Sequence, residues 1–259
     1  NRLFISGNSA VVNSMWADAW FYSFGSFPSS YMHQYKNISI TTHIVSNKIL
    51  GKLRELSPIF KTSPVFETHS SYLAKYQPSI EYLFNSTTLE QQTAIRLWAI
   101  TEGSIGISLH KREKLVVPVL KIACAHPELT QQLKSLSEKQ GMRFYMLKKK
   151  DSWSGIGGLQ TSSLKSIISF LKMGGFIRGV TIKQASRYFF GRDKQEVLLA
   201  ILEFIIKQRT NPKYRFCDIN NVYKDIVNIL DTKGYGNEDY YINLFEHFNN
   251  WTFRSRKCK

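Results

Sequence analysis

The run Leu97-Trp98-Ala99-Ile100-Thr101-Glu102-Gly103-Ser104 places an acid at the end of an apolar-periodic helix, followed by Gly-Ser and a strand. A carboxylate there stands beside helix-terminal carbonyls that have no intrahelical partner. Carboxylate and carbonyl oxygens are the ligands that a hard cation such as Mg²⁺ takes. The plainer reading of Glu102 is an ordinary helix-terminal acid, mildly unfavourable against the helix dipole. Other site chemistries have little support. Gly155-Ile156-Gly157-Gly158 and Gly174-Gly175 lack the Lys-Ser/Thr that completes a phosphate loop, and read as hairpin and helix-end glycines. Cys124 and His126 have no further ligand pair for zinc. No Ser or Cys nucleophile pairs with a base from spacing alone.

The charge balance sets the class of partner. Among 259 residues, 35 Lys+Arg stand against 19 Asp+Glu, a net charge of +16. That excess favours a polyanion, nucleic acid first and an anionic membrane second; the alternative is a basic surface kept for solubility. With 43% hydrophobic and 14% aromatic residues the chain can bury a sizeable core. No apolar run reaches the roughly 18 residues of a membrane span. Cys124, Cys217 and Cys258 are scattered, with no CxxC spacing, so a disulfide framework is not expected and a reducing intracellular compartment is. The sequence starts at Asn1, and no signal-peptide pattern follows.

The elements that must position Glu102 read as a duplication. A helix over Ser9–Phe24 is followed by strand-like alternation over Tyr31–Val45, a helix from Ser46, an extended Lys61–Tyr76 and a closing segment Pro78–Asn85. The pattern then restarts: helix Leu89–Glu102, strands Ile105–Leu109 and Leu115–Ala125, a helix opened by His126-Pro127-Glu128, a hairpin of Met142–Leu147 and Gly155–Leu159, then helices Ser163–Met173 and Gly191–Gln208. A shift of about 78 residues lays Trp20 on Trp98 and Gly25-Ser26 on Gly103-Ser104; one of about 80 lays Ile49, Leu53 and Leu56 on Leu129, Leu133 and Leu136. The expected fold class is α/β (α+β): two αββαββα halves, residues 1–86 and 87–210, plus a helical extension over 211–259 with the basic tail Arg254, Arg256, Lys257, Lys259. That extension reads as a brace packed on the main body or as a helix-turn-helix.

The helix ending Glu102-Gly103, in this order of elements, resembles the motif of the LAGLIDADG homing endonucleases over about residues 9–210. The resemblance implies a monomer with two pseudo-symmetric halves, motif helices packed at the centre through small residues such as Ala17, Ala19, Ala94 and Ala99, and two sheets forming a saddle over DNA. It implies site-specific, Mg²⁺-dependent hydrolysis of phosphodiester bonds, with Glu102 and the carbonyl of Thr101 as metal ligands. Arg192 and Lys194 correspond to the basic residues that stabilise charge near the metal. Phe24 stands where the first half should carry its acid, and a phenyl ring binds no metal ion. The chain is therefore expected to be a nuclease, one reduced to nicking or inactivity, or a non-catalytic binder of DNA or RNA such as a splicing maturase, a ribosome-associated protein or a regulator.

Strand alternation selects the residues expected to face nucleic acid. These are Ser39, Thr41 and His43 with nearby Lys36 in the first half. In the second half they are Ser108, His110, Lys111, Arg112, Lys121, Arg143 and Tyr145, with Lys148, Lys149 and Lys150 at a hairpin tip suited to phosphate. Double-stranded DNA or structured RNA is the expected partner, with the protein acting alone or within a ribonucleoprotein. The expected compartment is organellar (mitochondrial or plastid) or the prokaryotic cytoplasm.

Overall fold

Side-chain caps start most of the helices. Ser9 accepts from the Val12 N–H to open α1 (Ala10–Phe24), and Ser46 accepts from the Ile49 N–H to open α2 (Asn47–Leu56). Thr87 and Glu90 form a reciprocal capping box on α3 (Thr88–Glu102), and Pro127 begins α4 (Pro127–Lys139). Ser163, Asp193 and Asp218 cap α5 (Leu164–Lys172), α6 (Lys194–Thr210) and α7 (Ile219–Asp231), and α8 spans Glu238–His247. The structure, a computed structural model, describes residues 3–7, 9–35, 38–57, 77–110, 115–183, 186–211, 214 and 218–247, with backbone only at 3–7, 35 and 38. The expected extended stretch Lys61–Tyr76 and the basic tail lie outside the described residues.

Two small antiparallel sheets make the fold mixed α/β. In the first, β2 (Ser29–Tyr35) and β3 (Ile38–Val45) form a hairpin, and β1 (Leu3–Gly7) pairs along the other edge of β3 to give the order β1-β3-β2. The sequence reading did not anticipate β1. In the second sheet β4 (Gly103–His110), β5 (Leu115–Ala123), β6 (Tyr145–Lys148) and β7 (Ile156–Thr161) take the order β4-β5-β7-β6. The succession helix, two strands, helix therefore occurs twice, and β1 occupies the edge that β7 occupies in the second sheet.

The larger core lies on one face of the second sheet. Helices α3 and α6 pack on β4 and β5, α5 on β5 and α4 on β7. Leu120, Ile122 and Leu159 from the strands meet Ile95, Ala99, Leu133 and Phe204 from the helices, all fully buried. Helix α6 is buried almost all round, so its sequence carries no clear amphipathic stripe. Val222, Ile226 and Tyr241 enter the same core, which makes α7 and α8 a brace. A smaller cluster of Trp20, Val45 and Leu50, with Trp16 and Phe24 against it, joins α1 and α2 to the first sheet.

The expected central pairing of α1 with α3 is not what the structure holds. Trp16, Trp20 and Phe24, four residues apart, turn α1 onto its own sheet, while Ala19 is exposed. Only the start of α1 reaches the larger core, through Val11 and Val12, with Val11 against Gly179. The two helix ends also differ. Gly25 ends α1 at φ 71°, in the left-handed region, whereas Gly103 is extended and already the first residue of β4. A Cβ on Gly103 would stand 2.0 Å from the Ala99 carbonyl oxygen, so only glycine lets the strand leave the helix there. Around α1 and β2 large side chains lie in solvent: Tyr22 is 86% exposed, Met32 71% and Phe27 62%. Among the described residues, no helix is long and apolar enough to cross a membrane.

Candidate functional site

Glu102 closes α3 at the rim of a cleft of about 730 Å³. The cleft runs between the first turns of α1 (Asn13 and Trp16), the α3–β4 junction and the segment leading into α6. Both Thr101 and Glu102 are exposed, and the Thr101 hydroxyl donates back to the Leu97 carbonyl at 3.0 Å. Lys194, the first residue of α6, also lines the cleft. Its ammonium donates to the carbonyls of Ile100 (2.9 Å) and Gly103 (2.7 Å) and lies 5.6 Å above the Phe176 ring. These are carbonyls that a helix end leaves without intrahelical donors. Lys194 therefore caps α3 from a neighbouring helix. Burial lowers its pKa, and the charge of Glu102 works against that shift.

Arg192, the third member of the expected catalytic set, and Phe24, which stands where the first half should carry its acid, lie elsewhere. Arg192 pairs with Asp231 of α7 at 2.7 Å and does not line the cleft. Phe24, the last residue of α1, packs its ring at a tilt against Trp20 (4.6 Å between ring centroids) in the smaller core and does not line the cleft either. Glu102 meets the start of α1 rather than its end.

The residues present do not fit a Mg²⁺ site at Glu102. Among the described residues lining the cleft Glu102 is the one carboxylate, the carbonyls of Ile100 and Gly103 accept from Lys194, and the buried ammonium repels a cation. Among the described residues, no group of three or more His, Cys, Asp or Glu is gathered for a metal.

The second sheet assembles the expected polar face. Cross-strand register sets Ser104 opposite Lys121, Lys121 opposite Gln160 and Gln160 opposite Tyr145, so one row spans all four strands. The Gln160 amide donates to the Tyr145 hydroxyl. Ser108 and His110 continue this exposed face along β4, and Arg143 precedes Tyr145 on the same alternation. Lys148, Lys149 and Lys150 are exposed at the β6 tip, where a bulge shifts the register after Leu147. Lys36, Lys111 and Arg112 lie outside the described residues. Ser104 and Gln160 complete the row and were not assigned to it from sequence, although the alternation of β7 points to Gln160.

In the first sheet the expected polar face is corrected. Ser39, Thr41 and His43 do share a face, but α1 covers its far end. Ser39 is exposed and Thr41 half-buried, while His43 is 4% exposed with its ring stacked on Trp16 at 4.7 Å. Polarity alone misplaced His43 because β3 is the central strand, and the bulk of Trp16 and Trp20 decides which side is inside. Burial lowers the His43 pKa and favours the neutral ring. Its Nδ1 lies 2.7 Å from the Ser30 hydroxyl, and its buried Nε2 has no hydrogen-bond partner. His43 and Trp16 thus form a wall of the cleft that no motif announced.

No family model matches the chain, and comparison with characterised proteins returns no match.

Proposed function

We propose that this protein binds nucleic acid through the exposed face of its four-stranded sheet and does not cut it. The observation that carries the reading is the row Ser104–Lys121–Gln160–Tyr145, flanked by the lysine triplet, on a chain of net charge +16. Lys121 and Lys148–Lys150 supply charge for phosphates, Gln160 and Ser104 supply hydrogen bonds, and Tyr145 supplies a ring. This corresponds to the non-catalytic form of the LAGLIDADG resemblance, with the two sheets as the two sides of a saddle. Nuclease activity is the less supported form, because Lys194 donates to the Ile100 and Gly103 carbonyls beside Glu102 and no second acid lines the cleft among the described residues.

Affinity for a nucleic acid hairpin, measured by fluorescence anisotropy, is expected to fall linearly in log–log form with salt. Lys121→Ala should flatten the slope by about one. A salt-independent affinity, or a Lys121→Ala slope equal to that of the parent, overturns the sheet reading. Supercoiled plasmid should remain supercoiled with the protein and Mg²⁺; nicked circles that disappear in Glu102→Gln would establish the nuclease instead.

A further inference from the structure

We propose that the exposed ring of Phe190 is a stacking platform for one unpaired base of the bound nucleic acid. This rests on the sheet reading above and adds a second point of contact to it. Phe190 stands at the end of a connection that a short antiparallel ladder closes. The Gly191 N–H donates to the Ile182 carbonyl and the Ile182 N–H to the Arg192 carbonyl, both at 2.8 Å, and Thr181 bridges Asp193. Just before Phe190, Phe189 is buried in the larger core, and its N–H donates to the Ser186 hydroxyl at 2.9 Å. Tyr188 lies flat on Tyr223 of α7, with 4.6 Å between centroids and 5° between planes, and its hydroxyl donates to Asn220 at 2.8 Å. These contacts fix the backbone on both sides of Phe190. Its ring is nevertheless 69% exposed and packs on no other ring among the described residues. A ring presented on a fixed backbone loses little freedom when a flat ligand settles on it.

The charge beside the ring selects the ligand. From Lys183 to Arg192 the sequence holds three cations and no acid. Arg192 is paired with Asp231, so Lys183 and Arg187, both exposed, set the charge around Phe190. The Arg187 guanidinium stands 5.8 Å from the centre of the Tyr188 ring, which holds it close to the platform. An exposed ring next to cations suits a ligand with a flat face and an anionic backbone, which is a nucleotide within a strand. Inside a duplex both faces of a base are covered by its neighbours, so the ligand is a looped or single-stranded nucleotide. Lys183 lines the same cleft as Ser104, and Ser104 begins the row that crosses the sheet to Lys121. The row and the platform therefore meet at one cleft.

The test uses the full chain with a hairpin that has an unpaired loop and with a blunt duplex of the same stem, each made in RNA and in DNA. In the sugar that the parent binds more tightly, Phe190→Ala should weaken hairpin binding about tenfold and leave duplex binding unchanged. Phe190→Trp should keep the hairpin affinity, whereas Phe190→Leu, apolar but not flat, should behave like Phe190→Ala. All three variants should melt with the parent, because the ring is outside the core. Lys121→Ala should weaken both ligands and leave the loss caused by Phe190→Ala unaltered. Hairpin affinity that survives Phe190→Ala, a loss equal for hairpin and duplex, or a Phe190→Leu variant that matches Phe190→Trp overturns the platform while leaving the sheet reading standing. Binding of the parent to neither ligand overturns both. The sugar in which the loss is larger identifies the partner as RNA or DNA.

Discussion

His43 sits neutral against Trp16, and this makes stability depend on pH in a definite direction. In the unfolded chain the imidazole titrates near its ordinary 6.5, and in the folded chain its pKa is lower. Between those values the unfolded state binds the extra proton, so stability is full above about pH 6.5 and declines as pH falls toward the folded value. Urea midpoints at pH 7.5 and pH 5 should therefore differ more in the parent than in His43→Phe, which keeps the ring and removes the titration. Equal pH dependence in the two proteins would contradict the assignment. The sequence displayed His43 as a polar residue on an alternating strand, but the covering helix that makes it an interior group is a tertiary fact. Glu102 and Lys194 were both legible as site candidates. Their relation was not, because a lysine at the start of one helix reveals nothing about which other helix end it will cap.

At the level of elements, the α3–β4 junction is the tightest constraint. Gly103→Ala should destabilise the fold by about 3 kcal/mol, since the new methyl meets the Ala99 carbonyl and the strand must pull away from the helix. Gly51, inside α2, has open space where its Cβ would be, and Gly51→Ala should instead stabilise by about 0.5–1 kcal/mol. Thermal melts of the two variants give opposite shifts if these environments are as described. Most helix starts were readable from their caps and apolar spacing, because that information is local. The first sheet was only partly readable. Its third strand, Leu3–Gly7, pairs with residues about 40 positions away, and five residues carry too short a pattern to declare that partner. The repeat in sequence correctly marked two successions of helix, strands and helix. It could not show that α1 would turn its aromatic stripe onto its own sheet, because that choice depends on which apolar surface is nearer once both halves fold.

For the whole molecule, the larger core is closed by the C-terminal helices. Val222, Ile226 and Tyr241 are fully buried in it, and the Tyr241 hydroxyl donates to Glu203 of α6 at 3.0 Å. A chain ending at residue 210 would expose that face of α6 and is expected to lose cooperative unfolding, as followed by circular dichroism against urea. An unchanged transition would mean that the extension is dispensable. The division into two halves and an extension was drawn from sequence. Burial shows that the extension and the second half share one core.

The exposed side chains of α1 and β2 give the net charge a second duty. Tyr22, Phe27 and Met32 are exposed apolar side chains of the kind that draw molecules of one protein together. At low ionic strength a charge of +16 holds such molecules apart. Salt shortens the reach of that repulsion to about 8 Å at physiological strength, while it strengthens none of the contacts with phosphate. The protein's colloidal stability and its proposed hold on a polyanion thus draw on the same field and weaken together. A bound nucleic acid cancels part of that charge, so the complex, rather than the free chain, is the form in which these aromatic side chains are least protected from one another.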